Sequence, residues 1–128
     1  MLWSLNEIYK ALDITNSSSE KINFDEISID SRNIKKKNFF IPIVGKNFDG
    51  HNFIDEISTI GIRACLVEKK KAHLIKNKKI HKIFVNNTQE SLKKLASFAR
   101  QRAKNLKMVC ITGSSGKTTL KEWLKTIL

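Results

Sequence analysis

A chain of 128 residues can bury one moderate core, or a small domain and the beginning of another. With 41% hydrophobic residues, seven Phe and two Trp, wholesale disorder is excluded, and no apolar run approaches the ~20 residues that span a bilayer. The net charge of +12 invites a nucleic-acid partner, but the lysines are scattered through turns and helix faces without an aromatic-interleaved stripe, so most read as solvated surface, with an anion-binding or nucleic-acid surface as the alternative.

Met1-Leu2-Trp3-Ser4-Leu5-Asn6-Glu7 carries neither a basic start nor a long apolar stretch, so it is not a secretory signal, and a cytoplasmic location is expected. Ser4 and Glu7 form a capping-box pattern, with Leu5, Ile8, Tyr9 and Leu12 on one face, which predicts a helix over 4–12. A polar break follows at 16–20. Strands are predicted around Ile27 and Ile29 and over 39–44, the latter an edge or irregular strand because Pro42 lacks an N–H. Asp49-Gly50-His51 is a turn into a helix carrying Phe53, Ile54, Ile57 and Ile60. Further strands are predicted over 63–67 and 83–85. Asn87 or Thr88 then caps a helix with Leu92, Leu95, Ala96 and Ala99 on one face. Cys65 and Cys110 each sit in an apolar strand-like run and are expected as buried free thiols.

The richest segment lies near the carboxyl end. Met108-Val109-Cys110-Ile111 predicts a buried strand within 107–111. It runs into Thr112-Gly113-Ser114-Ser115-Gly116-Lys117-Thr118-Thr119, after which Leu120, Leu124, Ile127 and Leu128 fall at helical spacing. Strand, glycine loop and helix start make a phosphate cradle, because N–H groups at a helix N-terminus attract anions. Gly113 and Gly116 permit positive φ, Lys117 can reach the terminal phosphates, and the Thr118 hydroxyl can ligate Mg²⁺. The loop is shorter than the general phosphate-loop pattern, whose first glycine falls at Ile111 here.

The run from Ile111 to Glu122 resembles the ATP loop of the Mur ligases, the ATP-dependent amide-forming enzymes that build the peptide of bacterial peptidoglycan. Upstream, Ile29-Asp30-Ser31-Arg32 and Phe40-Ile41-Pro42-Ile43-Val44-Gly45, followed by Asp49-Gly50-His51-x-Phe53-Ile54, are similar to the amino-terminal domain of that family. Lys121-Glu122 and the stretch from Thr88 to Ala96 resemble the branch that adds D-alanyl-D-alanine to a UDP-N-acetylmuramoyl-tripeptide. The resemblance implies an α/β fold: a small mixed α/β amino-terminal domain over 1–86 that binds the UDP-sugar substrate, then over 87–128 the first helix, strand, phosphate loop and helix of an incomplete parallel-sheet ATP-binding domain. It implies ATP and Mg²⁺ as cofactors, bound by Gly113, Ser114, Ser115, Gly116, Lys117, Thr118 and Thr119, with Thr118 on the metal and Lys117 and Thr118 in catalytic roles. Asp30, Ser31, Arg32, Gly45, Asp49, Gly50 and His51 would meet the UDP-sugar. The implied partners are UDP-N-acetylmuramoyl-peptide and D-alanyl-D-alanine, with no nucleic acid, no membrane insertion and a monomeric state. The implied chemistry is carboxylate activation as an acyl phosphate followed by amine attack; because the metal ligands and carboxyl-terminal domain of the family lie outside 1–128, this chain alone is expected not to ligate.

Other readings stay open. Asp30 can simply cap a turn, Arg32 can pair with a surface carboxylate, and His51 can cap a helix. Lys36-Lys37-Asn38 stands where the family carries a Pro-Gly-Asp turn, which leaves the shape of that loop unfixed. A non-catalytic nucleotide-sugar-binding module and the related ligase that adds the third peptide residue are the alternatives for function.

Overall fold

The computed structural model describes residues 3–105, 107 and 109–127. Met1, Leu2, Met108 and Leu128, which entered the sequence expectations, lie outside the described residues. In chain order the elements are β1 (Trp3–Ser4), α1 (Leu5–Leu12), β2 (Asn23–Phe24), β3 (Glu26–Ser28), β4 (Asn38–Phe40), α2 (Ile54–Thr59), β5 (Ala64–Glu68), β6 (His81–Val85), α3 (Thr88–Arg102) and α4 (Lys117–Ile127). Short 3-10 turns stand at Ser31–Asn33, Gly50–Phe53 and Lys69–Leu74.

The centre is a parallel sheet in the order β3-β4-β5-β6. A parallel sheet is buried on both faces, and the side-chain period of two distributes its residues between two cores. Phe39, Ile41, Ala64, Leu66, Ile83 and Val85 face a layer built by Leu5, Ile8 and Leu12 of α1, Phe24 of β2 and Leu95 of α3. Phe40, Cys65 and Val67 face the other way, onto Ile54 and Ile57 of α2 with Ile34, Ile62, Ile75 and Ile80. Each fully buried aliphatic or Phe side chain of this kind contributes about 1.5–3 kcal/mol relative to exposure. Burial pushes the Cys65 thiol up to about 12, so it is an inert core residue as expected.

Helix α1 forms where its capping box predicts: Ser4 Oγ accepts from the Glu7 N–H at 3.3 Å, and Glu7 Oε2 accepts from the Ser4 N–H at 2.8 Å. Helix α3 packs against α1 and gives Leu95 to the same core as the sheet. Its far end is fastened by Arg102, which donates to Glu7 Oε1 at 2.8 Å and lies 4.4 Å from the centre of the Trp3 ring.

Several local expectations are corrected. The strand predicted over 39–44 stops at Phe40, and it is a central strand rather than an edge: without an N–H, Pro42 ends the pairing, but β5 already lies on the far side of Phe39 and Phe40. No strand forms at residues 109–111. Val109 and Cys110 are exposed, so Cys110 is not a buried thiol, because among the described residues no strand lies beside them to complete the hydrogen bonds that a parallel strand needs. The small antiparallel pairing of Trp3 with Phe24 was not foreseen. Among the described residues no helix is long and apolar enough to cross a membrane.

Candidate functional site

In a parallel α/β sheet the loops leaving the carboxyl ends of the strands gather along one edge, where ligands bind. Here β3 leads to Asp30-Ser31-Arg32, β4 to the loop with Gly45 and Asp49, β5 to Lys69–Leu74, and β6 to the first turn of α3. The upstream residues singled out from sequence therefore leave two adjacent strands at the same edge.

Asp30 caps the 3-10 turn by accepting the Arg32 N–H at 3.0 Å, and it also clasps the guanidinium: Nε donates to Oδ1 at 2.9 Å and Nη2 to Oδ2 at 2.8 Å. That fork of hydrogen bonds from Arg32 holds the Asp30 carboxyl at about 2. The Arg32 side chain is otherwise in solvent at 85% exposure, so its Nη1 edge faces outward. Both bland alternatives for this pair, turn cap and ion pair, are thus realised, and neither uses up the guanidinium.

The second loop is anchored from below. Gly45 donates to the Phe48 carbonyl at 2.7 Å, and Val44 bridges to Asp49, closing a tight turn. Asp49 Oδ1 accepts from the His51 N–H at 3.0 Å and lies 2.7 Å from His51 Nδ1, while Lys71 donates to Oδ2. Burial pushes the Asp49 carboxyl up, but the hydrogen bonds from Lys71 and His51 outweigh it and hold the group at about 2. His51 does not open a helix toward an anion, as the sequence suggested. Its imidazole is buried, its N–H is taken by Asp49, and its Nε2 accepts the Glu68 N–H at 3.1 Å. It holds the loop rather than meeting solvent. Gly50 is required by close approach: a Cβ there would stand 2.9 Å from the Ile43 nitrogen and from the Pro42 Cα.

Glu68 and Lys71 were missed by sequence reasoning, which read Thr88 only as a candidate helix cap and as part of the family resemblance. Glu68 is buried at the end of β5 and accepts from the Thr88 N–H at 3.2 Å, which caps α3 from a neighbouring strand. Its other oxygen lies 3.3 Å from Lys70 Nζ, an ion pair without hydrogen-bond geometry. Burial raises the Glu68 carboxyl, and the Thr88 N–H and Lys70 together bring it below its ordinary value. Gln89, next on α3, donates to the Val44 carbonyl at 3.2 Å. The available signal was a carboxylate and three lysines directly after an apolar strand.

Between the two loops lies an open pocket of 490 Å³ lined by Ile29, Asp30, Ser31, Arg32, Phe48 and Phe53.

The downstream loop is exposed throughout 113–119. Gly113 and Gly116 adopt φ of 147° and 76°, the conformations for which glycine was expected. The first backbone bond of α4 runs from the Leu120 N–H to the Gly116 carbonyl at 3.0 Å, so the N–H groups of Lys117, Thr118 and Thr119 lie outside the helical ladder. Lys117 folds back to donate to the Gly113 carbonyl. The Thr118 hydroxyl makes no hydrogen bond to protein among the described residues, and among them no cluster of acidic, His or Cys side chains could hold a metal. Mg²⁺ here would need oxygens from the nucleotide and water beside Thr118. The loop fits a polyphosphate: free donors, a cation poised over the turn, and nothing within 4 Å of a Cβ at Gly116.

The profile described as "Mur ligase family, catalytic domain" matches residues 23–100. A UDP-N-acetylmuramoyl-tripeptide–D-alanyl-D-alanine ligase of Rickettsia prowazekii is 38% identical over 128 residues, covering 100% of this chain and 27% of the relative. The corresponding ligase of Buchnera aphidicola is 41% identical over 107 residues, 84% of this chain and 22% of its own length. A UDP-N-acetylmuramoyl-L-alanyl-D-glutamate–2,6-diaminopimelate ligase of Clostridium tetani is 36% identical over 127 residues, 97% of this chain and 26% of its own. Among solved structures, a UDP-N-acetylmuramoylalanyl-D-glutamyl-2,6-diaminopimelate–D-alanyl-D-alanyl ligase from Acinetobacter baumannii superposes with a TM-score of 0.79 at 27% identity, covering 98% of this chain and 27% of that one. The chain thus spans about a quarter of the length of the relatives it matches.

Proposed function

The chain belongs to the Mur ligase family, and from that membership we propose that it forms the nucleotide-sugar-binding part and the phosphate loop of an ATP-dependent ligase that adds D-alanyl-D-alanine to UDP-N-acetylmuramoyl-tripeptide. The observation that carries this reading is the convergence of the Asp30–Arg32 turn and the Gly45–Asp49 turn at the carboxyl edge of one parallel sheet, on either side of a pocket.

In this reading residues 1–86 hold the UDP-sugar. Ser31 and the outward edge of Arg32 supply donors for phosphate or ribose oxygens, Gly45 gives close backbone access, and Asp49, Gly50 and His51 keep the loop in shape. Residues 87–128 begin the ATP-binding unit. Helix α3 reaches back to the first unit through Thr88 and Gln89, so the two are joined at the substrate edge. ATP, when bound, supplies the phosphoryl group that activates the substrate carboxylate. The N–H groups from Ser114 to Thr119 would orient the phosphates. Lys117 would leave the Gly113 carbonyl to neutralise their charge, and the Thr118 hydroxyl would hold Mg²⁺. These roles are positioning and electrostatics, which suits a cytoplasmic, monomeric enzyme acting on small molecules without nucleic acid.

A second reading, the ligase that adds the third peptide residue, is favoured by the 36% identity to the Clostridium tetani diaminopimelate ligase over nearly the whole chain. Calorimetric titration separates the possibilities. Micromolar to millimolar binding of UDP-N-acetylmuramoyl-tripeptide in preference to the dipeptide-bearing precursor supports the first reading, and the reverse preference supports the second. No heat with either substrate contradicts both.

A further inference from the structure

Phe48 lies between Gly45 and Asp49, at a position to which neither motif assigns a role, and it is half exposed. A single exposed apolar side chain would be ordinary, but Phe48 stands with the equally exposed Ile29 and with Phe53 on the lining of one pocket, and a grouped apolar surface of that kind marks a binding site. The ring is held: it stacks on Phe53 with centroids 5.4 Å apart and planes at 19°. Phe53 in turn packs on the core beneath α2. The turn that carries Phe48 is closed by the Gly45 N–H on its own carbonyl, and the following residue is fixed by Lys71 and His51. The result is a rigid aromatic wall on one side of the 490 Å³ pocket, with Ile29 as a second apolar surface and Ser31 and Arg32 as donors.

An apolar flat wall beside a hydroxyl and a guanidinium edge is complementary to a molecule with a planar ring at one end and an anion at the other. A nucleoside diphosphate has that form. We propose that Phe48 is the base platform of the nucleotide-sugar site, stacking the heterocycle of the nucleotide in the pocket bounded by Ile29, Phe53 and the Asp30–Arg32 turn. This rests on the nucleotide-sugar reading above and deepens it: Phe48 makes affinity depend on the base, whereas Arg32 and Ser31 serve the phosphate end.

The test compares UDP with inorganic pyrophosphate on the full chain, in wild type, Phe48→Ala and Phe48→Tyr. Stacking of one base on one aromatic side chain implies that Phe48→Ala weakens UDP binding roughly tenfold, leaves pyrophosphate binding unchanged, and is rescued by Phe48→Tyr. In wild type, nuclear Overhauser contacts between the Phe48 ring and H5 and H6 of uracil are expected. Unaltered UDP affinity in Phe48→Ala, or equal loss for UDP and pyrophosphate, overturns the platform while leaving the nucleotide-sugar reading intact. A wild-type chain that binds neither UDP nor pyrophosphate overturns both.

Discussion

The backbone N–H of Glu68 points at Nε2 of His51 across 3.1 Å, which fixes the tautomer of the imidazole. With Nε2 accepting, the ring hydrogen sits on Nδ1 and is donated to Asp49 Oδ1 at 2.7 Å. One side chain thus ties the end of β5 to the turn after β4. Replacing it strands a buried donor and removes a partner from a carboxylate. His51→Phe is expected to lower stability by about 2 to 4 kcal/mol, read as a fall in the denaturation midpoint with an unchanged slope.

Lys71 offers a test that separates charge from packing. Asp49 titrates at about 2 in the folded chain against an ordinary 3.8. A depressed carboxylate stabilises the fold above its unfolded value, and that contribution disappears as pH falls from about 4 toward 2. The contribution is about 1 kcal/mol once screening by nearby water is allowed for. Lys71→Met should reduce stability at neutral pH and flatten the acid limb between pH 4 and 2. A mutant whose acid limb matches wild type would show that the ion pair does not hold Asp49 down.

Gly50→Ala should destabilise by about 1 to 3 kcal/mol, since its Cβ would meet backbone atoms of Pro42 and Ile43 that cannot swing aside. Thermal melting measures this directly. A neutral result would mean that the turn yields more readily than its contacts suggest.

Lys117→Ala addresses the proposed phosphate loop. Residues 113–119 are exposed, so the substitution should leave the melting temperature unchanged. Loss of the ammonium should weaken Mg-ATP binding about tenfold or more. Unaltered ATP affinity in the variant would remove Lys117 from the site.

What the sequence revealed divides by the range of the interactions involved. Helix α1 was legible because Ser4 and Glu7 stand three residues apart and decide it locally. The glycines at 113 and 116 were legible because positive φ is a property of single residues. The Asp30 turn was legible as a cap because its partner, the Arg32 N–H, is two residues away, whereas at the second turn the cap is Asp49 and not His51. Lys71 was not, because its partner is 22 positions away and it stands on a 3-10 turn without periodicity. The burial of His51 was hidden likewise, since it depends on Glu68 from another strand. Residues 109–111 show the converse: an apolar run has strand propensity, but a strand exists only where a neighbour pairs with it.

The central claim is that the carboxyl edge of the parallel sheet is the nucleotide-sugar site, and amide chemical-shift mapping during titration with UDP-N-acetylmuramoyl-tripeptide tests it most directly. The account predicts saturable shifts at residues 30–32 and 45–50, with Gly61, Ile62 and Ile80 at the opposite ends of the strands unmoved. Shifts concentrated at that opposite edge, with 30–32 and 45–50 silent, would contradict it.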